Sequence, residues 1–250
     1  MLLTELPFYL YHIEEEPQCG DGALFHYTTL PKFLLIINDL TLLPSRVRGL
    51  NDLNEWNVHN MNMNENFMVL YDAQKIIKED CRVISFCQNY DVHGYTQEGT
   101  NHPAMWAHYA DNCNGVCLVI DKESFKRKNE AILKQYFYKF EDVEYSVFNT
   151  PDDDVIDYSP DSARGFIESN WEPLFFLKHK DWENEDEHRF FIMGYEGKLS
   201  IDGCIKHIAL GSKLSQDNSA IKEILDKVVD PNSLCYRKFV PHSFVTVNYN

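Results

Sequence analysis

The chain has 250 residues, of which 44% are hydrophobic and 14% aromatic, and its formal net charge is −16. This composition supports a large buried core and excludes an intrinsically disordered protein. The strong negative charge repels nucleic-acid backbones, so non-specific nucleic-acid binding is not expected. A local basic pocket for a single nucleotide is still compatible with this charge.

The cysteines and the hydropathy pattern indicate a cytoplasmic protein. The seven cysteines are odd in number and scattered, which favours reduced thiols over a disulfide framework. The first residues are apolar, but they include Glu5 and Pro7 and lack a basic region, which argues against a signal peptide. No apolar run approaches the roughly 20 residues of a membrane-spanning helix, so we expect no membrane contact.

The first half of the chain predicts a strand followed by a helix and a second good strand. Thr28 or Thr29 can cap the first helix, and Pro31 fits an early helical position. The predicted elements are a strand at 24–28, a helix at about 30–38, an extended segment at 41–45, a loop or irregular helix at 51–66, a partly helical segment at 66–80, a strand at 81–89 and a loop at 91–103.

The second half mixes strands and helices without a regular βαβ rhythm. The predicted elements are a short helix at 103–109, strands at 116–121 and 137–146, a loop at 150–162, a helix in two pieces around Pro173 at 163–180, strands at 187–195 and 205–211, a helix at about 218–229 capped by Ser215, and a strand at 244–249. No glycine-rich phosphate loop follows a strand. The pattern predicts one α+β domain over 1–250, with a mixed or antiparallel sheet flanked by helices.

The segment 179–191 carries five acidic residues in seven positions, just before an apolar run. In an extended chain, residues two apart share a face, so Glu183, Glu185, Glu187 and Arg189 would line one side. Two carboxylates there could stabilise a cationic sugar centre and orient a nucleophile, and their repulsion would raise one pKa, opposed by Arg189. The alternative is a solvated acidic turn in which Arg189 is a structural ion-pair partner.

The stretch from Phe25 to Thr29 joins a histidine to hydroxyl side chains at a helix start. His26 and Thr28 could hydrogen-bond ribose hydroxyls, and the adjacent helix N-terminus would favour an anion. The alternative is a buried His26 bonded to a backbone carbonyl, with Thr28 acting only as a cap.

The region from His102 to Cys117 contains residue types that bind zinc. Its spacing, His-x5-His-x4-Cys-x3-Cys, lies at the edge of known zinc patterns, and Cys117 falls in a predicted buried strand. We therefore expect no metal. Trp106 and Tyr109 are spaced as helical core residues, with ligand stacking as the alternative.

Taken in chain order, several segments resemble one bacterial family of unassigned biochemistry, DUF2971. These segments are LFHYTT, LPS with RGLNDLNE, VISFCQN, PAMWAHYADNCNGVCLVID, VEY, FFLKHKDWENEDEHRFF and IKHIALG. The resemblance covers roughly 24–212, and its more specific blocks are Met-Trp-Ala-His-Tyr-Ala-Asp and Lys-x3-Trp-x2-Glu-x-Glu-x-Arg. The sequence departs from the family pattern at Leu53, Cys87 and His188. Residues 213–250 are expected to pack on this core.

The motif order is also similar to that of the ADP-ribosyltransferase superfamily, which implies an ADP-ribosyltransferase-like split sheet and NAD as substrate. By this resemblance, the NAD-binding residues are His26, Tyr27, Thr28, Trp106, Tyr109 and Arg189, with His26 and Thr28 at the adenosine-side ribose and the aromatic pair Trp106 and Tyr109 on nicotinamide. Glu187 would contact the nicotinamide ribose and favour the oxocarbenium-like transition state, and Glu185 would orient the acceptor.

The resemblance thus implies an NAD-dependent ADP-ribosyltransferase or NAD glycohydrolase, acting as a bacterial toxin or phage-defence effector on an acceptor that the sequence does not identify. One alternative is a non-catalytic nucleotide-binding or protein-interaction module on the same fold. Another is metal-dependent hydrolysis using Glu183, Glu185 and Asp186. The transferase interpretation requires His26 and Glu187 to face one cleft, and it fails if they lie on opposite sides of the sheet.

Overall fold

The computed structural model describes residues 22–50, 67–147 and 156–215. Its strands are β1 (Ala23–Thr28), β2 (Thr41–Leu42), β3 (Ser45–Arg46), β4 (Cys81–Cys87), β5 (Tyr90–Val92), β6 (Tyr95–Gln97), β7 (Val116–Asp121), β8 (Phe137–Asp142), β9 (Glu144–Ser146), β10 (Leu177–His179), β11 (Glu187–Met193), β12 (Leu199–Ser200) and β13 (Ile205–Leu210). Its α-helices are α1 (Leu30–Asp39), α2 (Phe67–Asp80), α3 (Pro103–His108), α4 (Lys122–Lys128), α5 (Glu130–Leu133), α6 (Ala163–Ser169), α7 (Trp171–Phe175) and α8 (Ser212–Ser215).

The main sheet has seven strands, in the order β13-β7-β1-β4-β11-β8, with β3 also pairing with β4. All of its strand pairs are antiparallel. The β1 and β4 strands meet at a single residue pair, Phe25 with Cys87, because the rest of that edge of β4 pairs with β3 at Val83 and Arg82. The predicted α+β class, with a mostly antiparallel sheet flanked by helices, is confirmed.

Side chains alternate between the two faces of this sheet, and each face carries its own helices. We call the side covered by α1, α4, α5 and α8 the α1 face; its core residues include Leu24, Phe33, Phe86, Phe125 and Phe190. We call the opposite side, covered by α2, α3, α6 and α7, the α3 face; its core residues include Phe25, Trp106, Val83, Phe175 and Phe191. Every strand residue can therefore be assigned to one face from its register.

Helix α1 shows how the sequence pattern produces this packing. Phe33 and Ile37 are four positions apart, so they share one side of the helix and are buried on the sheet. Burying two side chains of this size stabilises the fold by about 2 kcal/mol each. The helix ends at Leu40, whose left-handed backbone directs its N–H to the Ile36 carbonyl.

Three local predictions need correction. The predicted loop at 91–103 contains a hairpin of β5 and β6, because His93 and Gly94 both have positive φ, as a two-residue hairpin turn requires. The predicted single strand at 137–146 is two strands, β8 and β9. The helical segment 163–180 breaks at Asn170 rather than at Pro173, and it ends in strand β10.

Asn170 explains the position of that break. Its side-chain amide donates to the carbonyls of Phe166 and Asp157, and it accepts from the Asp157 N–H, so it ties the end of α6 to the preceding loop. Pro173 instead lies in the first turn of α7, where a missing N–H costs little. The predictions at 51–66, 218–229 and 244–249 lie outside the described residues.

Candidate functional site

The acidic segment does not form the extended strand that its alternation suggested. Lys180–Glu185 is a 3-10 helix, Asp186 has φ 42°, and strand β11 begins only at Glu187. The expectation that Glu183, Glu185, Glu187 and Arg189 line one strand face is therefore wrong for the first two. Glu183 is exposed, whereas the 3-10 helix turns Glu185 inward.

Glu187 is the centre of a buried ion network on the α3 face. The Arg189 guanidinium donates to both of its carboxylate oxygens, from Nε at 2.7 Å and from Nη2 at 2.8 Å. The Lys178 Nζ, on β10, approaches the same carboxylate at 3.2 Å. Glu187 is 3% exposed and Arg189 is 1% exposed. Two cations thus surround one buried carboxylate.

Glu185 extends this network toward helix α3. Lys178 Nζ lies 2.5 Å from its Oε2 atom, and the Tyr109 hydroxyl donates to its Oε1 atom at 2.5 Å. The Lys178 ammonium also lies 4.9 Å from the centre of the Trp182 ring. Tyr109 and Trp182 are half-buried, so this end of the network lies closest to solvent.

The pKa of Glu187 shows which form of the carboxyl the network holds. Burial alone would raise this pKa, but Arg189, Lys178 and a hydrogen bond from Ser85 lower it from 4.5 to about 2. The predicted rise in one carboxyl pKa thus does not occur at Glu187, where Arg189 opposes it as expected. Arg189 supplies two donors, and Lys178 and Ser85 one each, which fills the roughly four acceptor sites of a carboxylate and leaves none for a ligand hydroxyl.

His26 lies on the opposite face of the sheet from Glu187. Phe25 pairs with Cys87, and Cys87 pairs with Glu187, so these three side chains share the α3 face. The next residue of β1, His26, therefore points to the α1 face, where its ring lies 5.7 Å from that of Phe86. The predicted common cleft for His26 and Glu187 does not exist in this arrangement.

The contacts of His26 match the structural alternative. Its Nδ1 atom lies 3.2 Å from the Ser85 carbonyl oxygen, across the point where β1 and β4 diverge. Burial lowers the pKa of His26, opposed by this backbone hydrogen bond, and Lys32 lowers it further. The His26 side chain as a whole is half-buried, so part of it contacts solvent. His26 is thus neutral at neutral pH and bridges two strands.

The other predicted ligand contacts divide between the faces. Thr28 is buried and pairs with Val116, which places it on the α1 face with His26. Tyr27 lies on the α3 face, and its hydroxyl donates to the Gly99 carbonyl. Trp106 is 2% exposed and donates to the Thr100 carbonyl at 2.7 Å. Trp106 is therefore part of the core, and it presents no ring face on which nicotinamide could stack.

The structure adds two residues that the sequence interpretation did not assign to the site. Lys178 is the first residue of the Lys-x3-Trp-x2-Glu-x-Glu-x-Arg block. The motif therefore contained this lysine, but the sequence did not indicate what its side chain does. Asp142 hydrogen-bonds the Nδ1 atom of His188 from the neighbouring strand, a contact that only the β8–β11 register creates. Within the described ranges no cluster of three potential metal ligands occurs. Glu185, one of the three residues considered for metal-dependent hydrolysis, instead accepts hydrogen bonds from Lys178 and Tyr109.

Residues 105–190 match the model of the family described as "Protein of unknown function (DUF2971)". This match confirms the resemblance to that family over 105–190, a range that includes Tyr109, Lys178, Glu185, Glu187 and Arg189 but not Ser85. The resemblance that the sequence suggests for the rest of 24–212 lies outside the match. No curated protein and no solved structure gave a significant match. Among the described residues, no helix is long and apolar enough to cross a membrane.

Proposed function

We propose that this DUF2971-family protein is a non-catalytic nucleotide-binding module, in which the Glu-x-Glu segment holds the domain together rather than performing chemistry. The observation that carries the proposal is the environment of Glu187. Its two oxygens are occupied by Arg189 and Lys178 inside the core. A transferase would need this carboxylate to face the sugar.

The network links several secondary-structure elements, as expected for a cluster with a structural role. It connects β11 to β10 through Lys178 and, through Glu185, to Tyr109 at the end of helix α3. It also reaches α7 and β9, because Arg189 donates to the Phe175 carbonyl at 2.5 Å and the Tyr145 hydroxyl accepts from the Glu187 N–H. Breaking one partner of such a buried cluster leaves an uncompensated charge, which costs about 3–5 kcal/mol. The chain therefore holds several neighbouring elements in register through this cluster.

The nucleotide part of the proposal rests on the α1 face. His26 and His188 lie on either side of Phe86 on this face: the His26 ring is 5.7 Å from the Phe86 ring, and His188 is the partner of Phe86 in the β11–β4 register. Lys32 lies near His26, and Lys122 near His188. Cationic and imidazole side chains arranged in this way suit a phosphate-bearing ligand with a sugar.

Calorimetry with the full chain tests this proposal. We expect ADP, ADP-ribose or NAD to bind, and we expect bound NAD to remain intact, with no release of nicotinamide. Adenosine provides the uncharged control. A protein that binds none of the three nucleotides contradicts the module, and steady nicotinamide release contradicts its non-catalytic character.

A second candidate function is NAD-dependent ADP-ribosyl transfer at a site confined to the α3 face. Because His26 and Thr28 lie on the opposite face, this is a different site from the one that the motif order implies, and it excludes both residues. The strands that bear His-Tyr-Thr, Ser-Phe-Cys and Glu187 are direct neighbours in the sheet, as β1, β4 and β11, and Glu185 ends the 3-10 helix just before β11. Glu185 lies at the outer end of the network, where a ligand hydroxyl could replace the Tyr109 hydroxyl. In this candidate Glu185, rather than the enclosed Glu187, contacts the substrate.

Labelled NAD incubated with cell lysate tests the second candidate. Transfer of label by the wild type and its loss in Glu185→Gln, with unfolding stability measured in parallel, would support it. Glu187→Gln is unsuitable for this purpose, because the variant is expected to lose stability whatever the function. Label transfer that persists in Glu185→Gln would exclude Glu185 as the reacting carboxylate.

A further inference from the structure

The α1 face carries a second polar cluster, around His188, that the network on the α3 face does not use. His188 is 3% exposed and pairs with Asp142 in the β11–β8 register. Asp142 binds its Nδ1 atom. The other ring nitrogen, Nε2, is buried and makes no hydrogen bond with any described residue. A buried imidazole nitrogen without a partner costs about 1–3 kcal/mol, which a ligand could offset.

Two lysines of helix α4 converge on the same place. The Lys122 Nζ lies 5.1 Å, and the Lys126 Nζ 5.8 Å, from the centre of the Phe140 ring, and that ring lies 4.8 Å from the His188 ring. Lys126 is 3.5 Å from Glu123, whereas no carboxylate of the described residues lies within ion-pair distance of Lys122. Both lysines are half-buried.

These cations destabilise each other in the absence of an anion. Burial and then Lys126 lower the pKa of Lys122, and Asp142, Glu141 and Glu123 oppose the effect only from a distance. A phosphate group among the lysines would offset both the desolvation and the repulsion. The lysine side chains are long and flexible, so their ammonium groups can turn from the Phe140 ring to such a ligand.

His188 adds a proton-dependent contact. Because Asp142 accepts a hydrogen bond from Nδ1, the neutral ring has a lone pair at Nε2, and it must gain a proton there to donate to an anion. Burial lowers the pKa of His188, the Asp142 hydrogen bond raises it, and Lys122 lowers it further, with Glu141 raising it weakly. His188 is therefore neutral at neutral pH in the free protein.

We infer that Lys122, Lys126 and His188 form the subsite that holds a phosphate group of the bound nucleotide, with the His188 Nε2 atom taking up a proton when the anion binds. This inference rests on the proposed nucleotide binding and names its site. It places the phosphate on the α1 face, on the opposite side of the sheet from Glu185 and Glu187. Asp142 positions the ring without touching the ligand.

Titration calorimetry of the full chain with ADP and with inorganic pyrophosphate tests the subsite. Lys122→Gln removes one charge-assisted contact and should weaken binding of either probe about 10-fold or more. The matched control is Lys134→Gln, which removes the same charge from an exposed pair with Glu130 and should leave the affinity within about twofold.

Proton uptake provides a readout that a structural role would not change. Titrations of ADP in buffers with different ionisation enthalpies should show uptake of a proton by the wild type near pH 7, and His188→Gln should abolish that uptake.

If Lys122→Gln and Lys134→Gln bind ADP equally well, or if the wild type takes up no proton, the subsite is wrong while nucleotide binding stands. If the wild type binds no nucleotide at all, the proposed function fails and the subsite fails with it.

Discussion

Replacing Glu187 with glutamine tests the buried network directly. In the folded protein the pKa of this carboxyl is lowered from 4.5 to about 2. One pKa unit corresponds to about 1.4 kcal/mol, so the ionised carboxylate stabilises the fold by on the order of 3 kcal/mol. This agrees with the roughly 3–5 kcal/mol lost when one partner of a buried ion pair is removed.

The sign of the pH dependence follows from the lowered pKa. The stabilisation is fully present above the unfolded-state pKa, near 4.5, and it is lost as the pH falls toward the folded-state value near 2. Glu187→Gln should therefore reduce the free energy of unfolding by about 3 kcal/mol at pH 7, and the difference from the wild type should shrink below about pH 4.5.

Urea denaturation followed by tryptophan fluorescence, at pH 7 and near pH 3, provides the measurement. Glu183→Gln is the matched control, because it removes the same charge from a side chain that is 58% exposed and should change stability by less than about 0.5 kcal/mol. If Glu187→Gln is as stable as this control at pH 7, the buried network does not hold the fold and the structural role proposed for it is refuted.

Three further experiments, two with substitutions and one with chemical labelling, test other parts of the structure. A Cβ atom at Gly115 would lie 2.3 Å from a backbone oxygen of β1, so Gly115→Ala should destabilise the protein by about 3 kcal/mol in urea titrations, whereas Gly49→Ala, with open space around it, should not destabilise it. Tyr109→Phe removes the hydrogen bond to Glu185 and should cost about 1–2 kcal/mol; an unchanged thermal midpoint would contradict that contact. Cys113 is the most accessible of the described cysteines, so brief native alkylation mapped by mass spectrometry should label it before the four buried ones.

The long strands of the main sheet and helices α1, α2, α3 and α6 could be predicted from the sequence because local patterns specify them. The short strands β5, β6, β10 and β12 and the helices α4, α5 and α8 were not predicted. Short runs of β-branched, aromatic and other apolar residues identified β1, β4, β7 and β11, and Pro31 with the apolar pair Phe33 and Ile37 identified α1. The predictions failed where a single residue decides the backbone. His93 accepts a positive φ and closes a hairpin, and Asn170 ends α6 by bonding to its neighbours' carbonyls.

The candidate site was predicted only in part, for a physical reason. The sequence singled out Glu185, Glu187 and Arg189, and the structure brings them together through Lys178. It could not show that Arg189 would occupy both oxygens of Glu187. The pairing of His188 with Asp142 joins residues 46 positions apart, and no local pattern contains it.

The sequence by itself determined the fold class, the resemblance to the DUF2971 family and the identity of the polar residues, because these depend on periodicity and on motif order. The tertiary structure alone decided which residues face each other. Successive side chains of a strand point to opposite faces of the sheet. His26 and Tyr27 are consecutive, so Tyr27 lies on the face of Glu187 and His26 on the opposite face. That single step separates the carboxylates from the histidines, and it turns a predicted common cleft into two chemically distinct faces.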